Sequence, residues 1–328
     1  MAAAGVAPLA WAHQQIGQPI ATMRQKTIDA VQNGLAFLAS RQKEDGRFGN
    51  SPYAENAAVV ALAGLSFMSQ GSSPGRGLHG KTVNQCIRFL VNRAEDSGFI
   101  ASPGHGPMYG HGFATMFLGE AYGMAPSSET RETLVRAVQL IVASQNAEGG
   151  WRYEPKSAEA DLSVTICQIM ALRAARNAGI YVPNDTVDRC INYVKRCQNP
   201  DGGFMYMLSQ PGDSRFSRSA AGIVALYSAG VYKGPEIDQG LRYLKRHTPT
   251  DKTRAEEYYM YGHYYAAQAM WHAGGEHWQQ WYPAIHDALL EQQRENGSWE
   301  NEISPEYETA MACLILQMPN SYLPIFQR

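Results

Sequence analysis

The sequence carries little charge and no excess of either sign. Charged residues are 18% of the 328, and 28 Lys+Arg against 30 Asp+Glu leave a formal charge of −2. Nucleic-acid binders and polybasic membrane-surface proteins need a basic surplus, so both classes are excluded. Long apolar runs are missing too: the longest, Ala57 to Met68, is too short to cross a bilayer. No Cys-x-x-Cys pair occurs among the five cysteines, Cys86, Cys167, Cys190, Cys197 and Cys313. Cys190 and Cys197 stand seven apart on an expected helix, about 10 Å in rise and too far to bridge. The thiols therefore read as free, buried and hydrophobic in role. Hydrophobic residues reach 45%, which excludes extended disorder and supplies a closed core.

The first residues leave two readings open. Met1 to Ala12 is small and apolar and ends Ala10-Trp11-Ala12, like the close of a signal peptide, but it lacks a basic start. Residues 1–25 are thus a leader or the remnant of an export signal, and localisation stays open between cytoplasmic and exported.

One phrase recurs. Gln42-Lys-Glu-Asp-Gly46-Arg-Phe48 returns as Gln145-Asn-Ala-Glu-Gly149-Gly150-Trp151, as Gln198-Asn-Pro-Asp-Gly202-Gly203-Phe204 and as Gln293-Arg-Glu-Asn-Gly297-Ser-Trp299. Asp96-Ser-Gly98-Phe99 reads as a worn copy with Phe99 in the aromatic place. The gap from Phe204 to Trp299 holds two periods, so a sixth repeat without the phrase is expected over Glu236 to Gly275.

Each repeat reads as two helices. Before the phrase, Leu134, Val138, Ile141 and Val142 fall on one face of a helix over Glu132–Ser144, and Asp185–Cys197 repeats the design. After it, Leu162, Val164, Ile166, Cys167, Ile169, Met170 and Leu172 make a helix apolar nearly all round, which demands burial on every side. Gly179, Gly230 and Gly274 end such helices as left-handed caps. The second set must lie inside the first. The fold class is all-α, an (α/α)6 toroid of six helix-pair repeats of about 50 residues, over residues 26–328 as one domain with a short tail. An open solenoid is the competing topology, but it usually exposes a polar face that these inner helices lack. In this reading the phrase is a staple: its glycines make the turn, its glutamine caps backbone groups and its aromatic ring closes the gap between repeats.

The phrases Gln145…Gly150-Trp151, Gln198…Gly203-Phe204 and Gln293…Gly297-Ser-Trp299 resemble the QW motifs of squalene–hopene and oxidosqualene cyclases. The repeat also resembles that of protein prenyltransferase β subunits, and the resemblance covers Thr27 to about Gln317. It implies the toroid and an apolar, isoprenoid-like ligand in the central barrel. Related toroids include thioester domains, but their Gly-Cys-Gly-Glu-Gln sequence is absent here. The cyclase acid motif, Asp-x-Asp-Asp at an inner-helix start, has its nearest match in Glu159-Ala160-Asp161-Leu162. Asp161 then falls on the proton-donating position and Glu159 on the first, while Leu162 replaces the last Asp. A carboxyl that protonates an alkene must be held neutral by burial or by a neighbouring carboxylate, and a Glu159–Asp161 pair sharing one proton meets that need. The bland alternative is an acidic helix cap. The prenyltransferase zinc site is not matched: no Asp-x-Cys occurs, and His263 resembles the later His only loosely. No metal or other cofactor is expected.

Aligning the inner helices gives further candidates. With Thr115, Thr165, Ser219, His263 and Thr309 as one column, the position four earlier is His111, Asp161, Arg215, Tyr259 and Pro305. Residues four apart share a face, so both columns are expected on the inner surface. Arg215 and Arg218 offer charge for a diphosphate or carboxylate, or pair with Asp213 at the surface. Tyr258, Tyr259, Tyr261, Tyr264, Tyr265 and Trp271 crowd one helix, as a cation-stabilising wall, a sugar platform or plain filling. His105 and His111 flank a Gly/Pro-rich loop at the same rim. The expected substrate-binding set is His111, Arg215, Tyr259, His263 and Tyr264.

Three functions follow. The first is a cyclase- or prenyltransferase-like protein with an isoprenoid or other apolar small molecule in the barrel and Asp161 as acid. Cyclases of this type pair two toroids and prenyltransferases add a helical subunit, so a homodimer or a helical partner is expected. The second is a non-catalytic binding or scaffold toroid. The third is a carbohydrate lyase or hydrolase, with Glu55, Asp161, Glu256, Glu257 and Tyr259 as candidates.

Overall fold

The computed structural model describes residues 25–100, 106–249 and 257–327. Residues 1–24 and His105 lie outside them. In chain order the helices are α1 (Gln25–Arg41), α2 (Ala57–Ser69), α3 (Gly80–Arg93), α4 (Pro107–Met124), α5 (Ser128–Ser144), α6 (Leu162–Asn177), α7 (Asn184–Arg196), α8 (Phe216–Ser228), α9 (Pro235–Lys245), α10 (Tyr259–Ala273), α11 (Gly275–Gln292) and α12 (Pro305–Leu316). Two short turns of 3-10 helix follow, Met318–Asn320 and Pro324–Phe326.

The even-numbered helices form the inner layer. Each packs on the next, α2 on α4, α4 on α6, and so on to α12, which returns to α2. The ring is therefore closed, and the open solenoid is ruled out. Every residue of α2 is buried, as its uniform apolarity demands. The odd-numbered helices surround this ring and bury one face each. On α5 that face includes Leu134, Val138 and Ile141, and on α7 it includes Val187, Cys190, Tyr193 and Val194. The repeat without a phrase takes the same form, with α9 outside and α10 inside. All five cysteines are free and buried.

The phrase performs one mechanical task in several repeats. Gly46, Gly98, Gly149, Gly202 and Gly297 have φ between +85° and +99°, a left-handed turn that suits glycine. The glutamine does more than cap its own helix, because its amide ties each repeat to the next outer helix. Gln145 Nε2 donates to Gly149 O at 2.8 Å and Thr186 O at 2.9 Å. Gln198 does the same to Gly202 O and Glu236 O. Gln293 donates to Gly297 O at 3.0 Å and to Ala30 O of α1 at 2.8 Å, so the last repeat is strapped to the first.

The worn copy sits one residue further on than the sequence suggests. Backbone bridges pair Gln42 with Phe48, Gln198 with Phe204, and Ala94 with Ile100. Ile100 is fully buried while Phe99 is only partly so. The turn glycine fixes the register: the buried position is two residues after Gly98, whatever aromatic stands beside it.

Candidate active site

The inner helices run parallel, so their N-termini share one end of the barrel, here termed the mouth. Asp161 caps α6 there. Its Oδ1 accepts the Val164 amide at 2.9 Å and the Ser163 hydroxyl at 2.6 Å. Its own amide donates to Trp151 O at 2.9 Å, which anchors the cap to the phrase. Oδ2 is buried without a hydrogen-bond partner, and the residue as a whole is inaccessible. Burial raises the Asp161 carboxyl above the ordinary carboxylate range, while its two hydrogen bonds and the Arg152 charge pull it back.

Tyrosines surround this cap. The Tyr109 phenol of α4 meets Ser163 Oγ at 2.5 Å, and Tyr261 of α10 reaches across to donate to Ser163 O at 2.9 Å. Tyr153 and Tyr206 join their hydroxyls at 2.5 Å beside it. One turn deeper, Tyr265 OH lies 3.5 Å from Cys167 Sγ. Tyr109, Tyr153, Ser163, Tyr206 and Tyr261 keep some exposure, whereas Tyr264 and Tyr265 have none. The accessible part of the barrel is therefore its mouth.

The expected site residues divide. Glu159 is partly exposed and points to Arg152, with Oε2 3.9 Å from Nη1; no hydrogen bond joins it to Asp161 among the described residues. His111 is buried between its neighbours: Nδ1 accepts the Ile100 amide at 3.1 Å and Nε2 lies 3.2 Å from Ala137 O of α5. Burial lowers its pKa to about 4. Arg215 precedes α8 at the surface and pairs with Glu257 at 2.7 Å. Arg218 donates to the Phe204 carbonyl and to the Asp213 carbonyl. Tyr259 packs edge-on to His263 at 4.3 Å, with Gln292 of α11 3.5 Å from its hydroxyl. His263 is enclosed by Phe216, Tyr259 and Trp281, has no hydrogen-bond partner on either ring nitrogen, and is lowered to about 3 by burial. Tyr264 alone of the binding set faces the barrel axis, against Phe113, Tyr265 and Phe326.

The reason is rotational. The column of hydroxyls faces the outer shell: Trp151 N donates to Thr165 Oγ1 at 3.1 Å, Phe204 N to Ser219 Oγ at 2.9 Å, and Trp299 N to Thr309 Oγ1 at 3.0 Å. Ser163, Tyr261 and Tyr307, two residues earlier, sit about 200° round a 3.6-residue helix and face the lumen. Sequence reasoning missed Ser163 and Tyr307, with Tyr109 and Arg152, and offered Tyr261 only as one of the aromatic cluster on its helix. The polar hydroxyl column was the signal, read with the wrong direction. Among the described residues, no three His, Cys, Asp or Glu side chains gather as a metal site.

A closed ring of six inner and six outer helices defines an α/α toroid, and a desolvated carboxyl sits at its mouth. The family model for the prenyltransferase alpha-alpha toroid domain matches residues 13–104 and 113–263. The chain belongs to that family. It is 25% identical over 189 residues to drimenyl diphosphate synthase of Streptomyces showdoensis, a match covering 56% of this chain and 33% of the relative. The chain thus spans about a third of that relative's length. Among solved structures, a variant of the type II terpene cyclase MstE from Scytonema, in complex with its substrate geranylgeranyl dihydroxybenzoate, superposes with a TM-score of 0.64 at 15% identity, covering 91% of this chain and 98% of that one. An alpha-1,6-mannanase variant from a Salegentibacter species, in complex with alpha-1,6-mannotriose, gives 0.67 at 8% identity, covering 90% and 99%. At these identities the two structures share the fold with this chain.

Proposed function

We propose that this protein binds an isoprenoid at the barrel mouth and starts its cyclisation by protonating an alkene with Asp161. One observation carries the reading: a fully buried carboxyl whose Oδ1 is doubly hydrogen-bonded and whose Oδ2 is bare. Burial favours the neutral acid, and the proton has its place on Oδ2, the oxygen with no competing partner. Transfer forms a C–H bond at one alkene carbon and leaves a cation at the other. The Asp161 carboxylate that remains is met by Ser163 and Val164 at a helix N-terminus. Phenol rings of Tyr109 and Tyr261 border the same space and favour a cation through their π faces. Glu159 acts at one remove, by drawing off the Arg152 charge that otherwise favours ionised Asp161. The terpene cyclases among the relatives support the choice of substrate class.

Incubation with prenyl substrates in D2O tests this, with mass spectrometry of the products. Cyclised product should carry one solvent deuterium, and Asp161→Asn should lose at least about 100-fold in rate. Unchanged turnover by Asp161→Asn removes the acid assignment. The complete burial of Tyr264 and Tyr265 favours a second reading, a scaffold toroid whose barrel is filled by its own side chains. Wild-type protein that neither binds nor turns over any prenyl chain decides for it.

A further inference from the structure

The end of the barrel away from Asp161 is crossed by the chain itself. After α12 the backbone passes through Met318–Asn320 and turns under the inner ring at Pro324–Phe326. This strap belongs to neither layer of the toroid, yet Leu323, Ile325 and Phe326 are buried. Within it the Phe326 amide donates to Leu323 O at 3.0 Å, and Gln327 Nε2 reaches back to Ser321 O, also at 3.0 Å. Three inner helices hold the strap near their C-terminal ends. Trp271 Nε1 of α10 donates to Phe326 O at 2.9 Å, and an Arg173 guanidinium nitrogen of α6 donates to Gln327 O at 3.2 Å. The third contact differs in kind. The Ile325 amide donates to Glu120 Oε2 of α4, a carboxyl buried in a largely apolar stretch.

That contact is 3.4 Å long and offsets little of what burial costs the charged form. Burial pushes Glu120 up to about 7, against the smaller pulls of the Ile325 amide and the Arg173 charge. Arg173 is the charged side chain that faces Glu120 from α6, whereas Arg176, one turn on, is turned to Val182 O and Asn184. Tyr264 of α10 is a titratable neighbour, but burial keeps its phenol neutral far into the alkaline range. Helix α2 carries no titratable side chain, and Glu129, Arg131 and Glu132 of the outer helix α5 are exposed. Glu306 and Glu308 of α12 stand in its first turn, at the mouth. The strap itself brings only the Tyr322 phenol, which is exposed. Glu120 lies four residues before the end of α4, about 6 Å from the end of the ring at about 1.5 Å per residue. Without the strap its carboxyl meets water.

We infer that the strap is a latch with Glu120 as its catch: the neutral carboxyl keeps residues 323–327 across the base of the barrel, and the ionised one releases them. The inference concerns the opposite end from Asp161 and does not depend on what the mouth binds. On release the Glu120 proton passes to water, the carboxylate is solvated, and the bonds from Trp271 and Arg173 break with the strap. Phe326, now seated edge-on against Tyr264 at 6.2 Å, leaves with Leu323 and Ile325 and uncovers the apolar end of the ring. A carboxyl raised by being covered favours the covered state fully below 4.5, and that preference is lost as pH rises through about 7. From pH 5 to pH 8 these values lower the docking constant of the strap about 70-fold.

Hydrogen exchange on the wild-type chain and Glu120→Gln tests the latch. Amide protection of residues 325–327 is read at steps between pH 5 and pH 8 and corrected for the intrinsic rate at each. Wild-type protection should fall about 70-fold across that range while the amides of α2 stay level. Glu120→Gln keeps an acceptor for the Ile325 amide and cannot ionise, so its protection should not change with pH. Melting temperatures show whether that variant folds. If it does not, Arg173→Gln decides: loss of its bond to Gln327 O lowers protection at every pH, and loss of its charge moves the fall to higher pH. Wild-type protection that is level with pH overturns the latch, as does an equal fall in Glu120→Gln or in the α2 amides. So does a fall in Arg173→Gln that stays at the wild-type pH.

Discussion

Ser163 donates its hydroxyl proton to Asp161 Oδ1 at 2.6 Å while its own carbonyl takes the Tyr261 phenol from the facing side of the barrel. The serine thus holds the carboxyl still and ties α6 to α10 at the mouth. Ser163→Ala removes a bond that lowers the carboxyl's pKa, so Asp161 should stay protonated to higher pH. Initiation should slow about tenfold, because the carboxylate left behind loses a donor worth about 1.5 kcal/mol. A pH–rate profile checks both: the alkaline limb should move to higher pH as the plateau falls.

His263 has two ring nitrogens without partners inside an enclosure of aromatic rings. Its folded pKa is lowered to about 3 from 6.5, with His247 adding to the effect of burial. A base lowered in this way contributes stability above about pH 6.5 that is lost as pH falls towards 3. His263→Phe should raise the melting temperature at pH 7, by the equivalent of about 1 kcal/mol for two relieved polar atoms. Its advantage over wild type should grow at pH 5. Thermal melts at the two pH values decide it.

Glu308 has the opposite sign. Burial lifts it to about 7 from 4.5, although Oε1 accepts the Glu302 and Ile303 amides, and Oε2 is buried without a partner. A raised carboxyl contributes stability that is fully present below 4.5 and is lost as pH rises through 7. Glu308→Gln should therefore gain in melting temperature relative to wild type between pH 5 and pH 8. A difference between the two proteins that stays constant with pH would show that the Glu308 pKa is the same in the folded and unfolded states.

Thr165 and Thr309 each accept the amide of a buried tryptophan. Replacing either with Val keeps the shape and orphans a buried N–H, at about 1–3 kcal/mol. The two sites belong to separate repeats, so the double variant should lose the sum of the single effects within about 0.5 kcal/mol. Urea unfolding of the four proteins measures this. A loss well short of the sum means the staples are coupled around the ring.

The toroid itself was legible because its turn chemistry is local. Glycine at φ near +90° five times over, in four of them with a glutamine four residues before it, writes the period into the chain. Uniform apolarity from Leu162 onward then says which helix is inside. Ile100 was missed because Phe99 offers the expected residue type one place too early, and only the backbone bridge from Ala94 settles the register. At the mouth, Asp161 was legible as a cap in the right place. Its surroundings were less so: Tyr261 was visible only as one of an aromatic cluster and Tyr109 and Ser163 were not seen, because the three come from α10, α4 and α6 and their meeting depends on helix rotation. His111 and His263 stood in the two columns expected to face inward, but they turn outward: His111 ties neighbouring repeats through its ring nitrogens, and His263 is enclosed by aromatic rings. Phe326 lies beyond the last repeat, in a segment with no periodic pattern to place it.

The Gln293–Ala30 strap and the return of α12 to α2 give the molecule no privileged seam. Any loop at the end opposite the mouth could serve as the break. The two ends could be joined by a linker and the chain reopened between α6 and α7, near exposed Tyr181. The inner ring would then keep its neighbours while the order of synthesis changed. Contacts that now bridge some 260 positions, such as Gln293 with Ala30, would become local, and others would become distant. Such circular permutants should share one native structure and differ in folding rate.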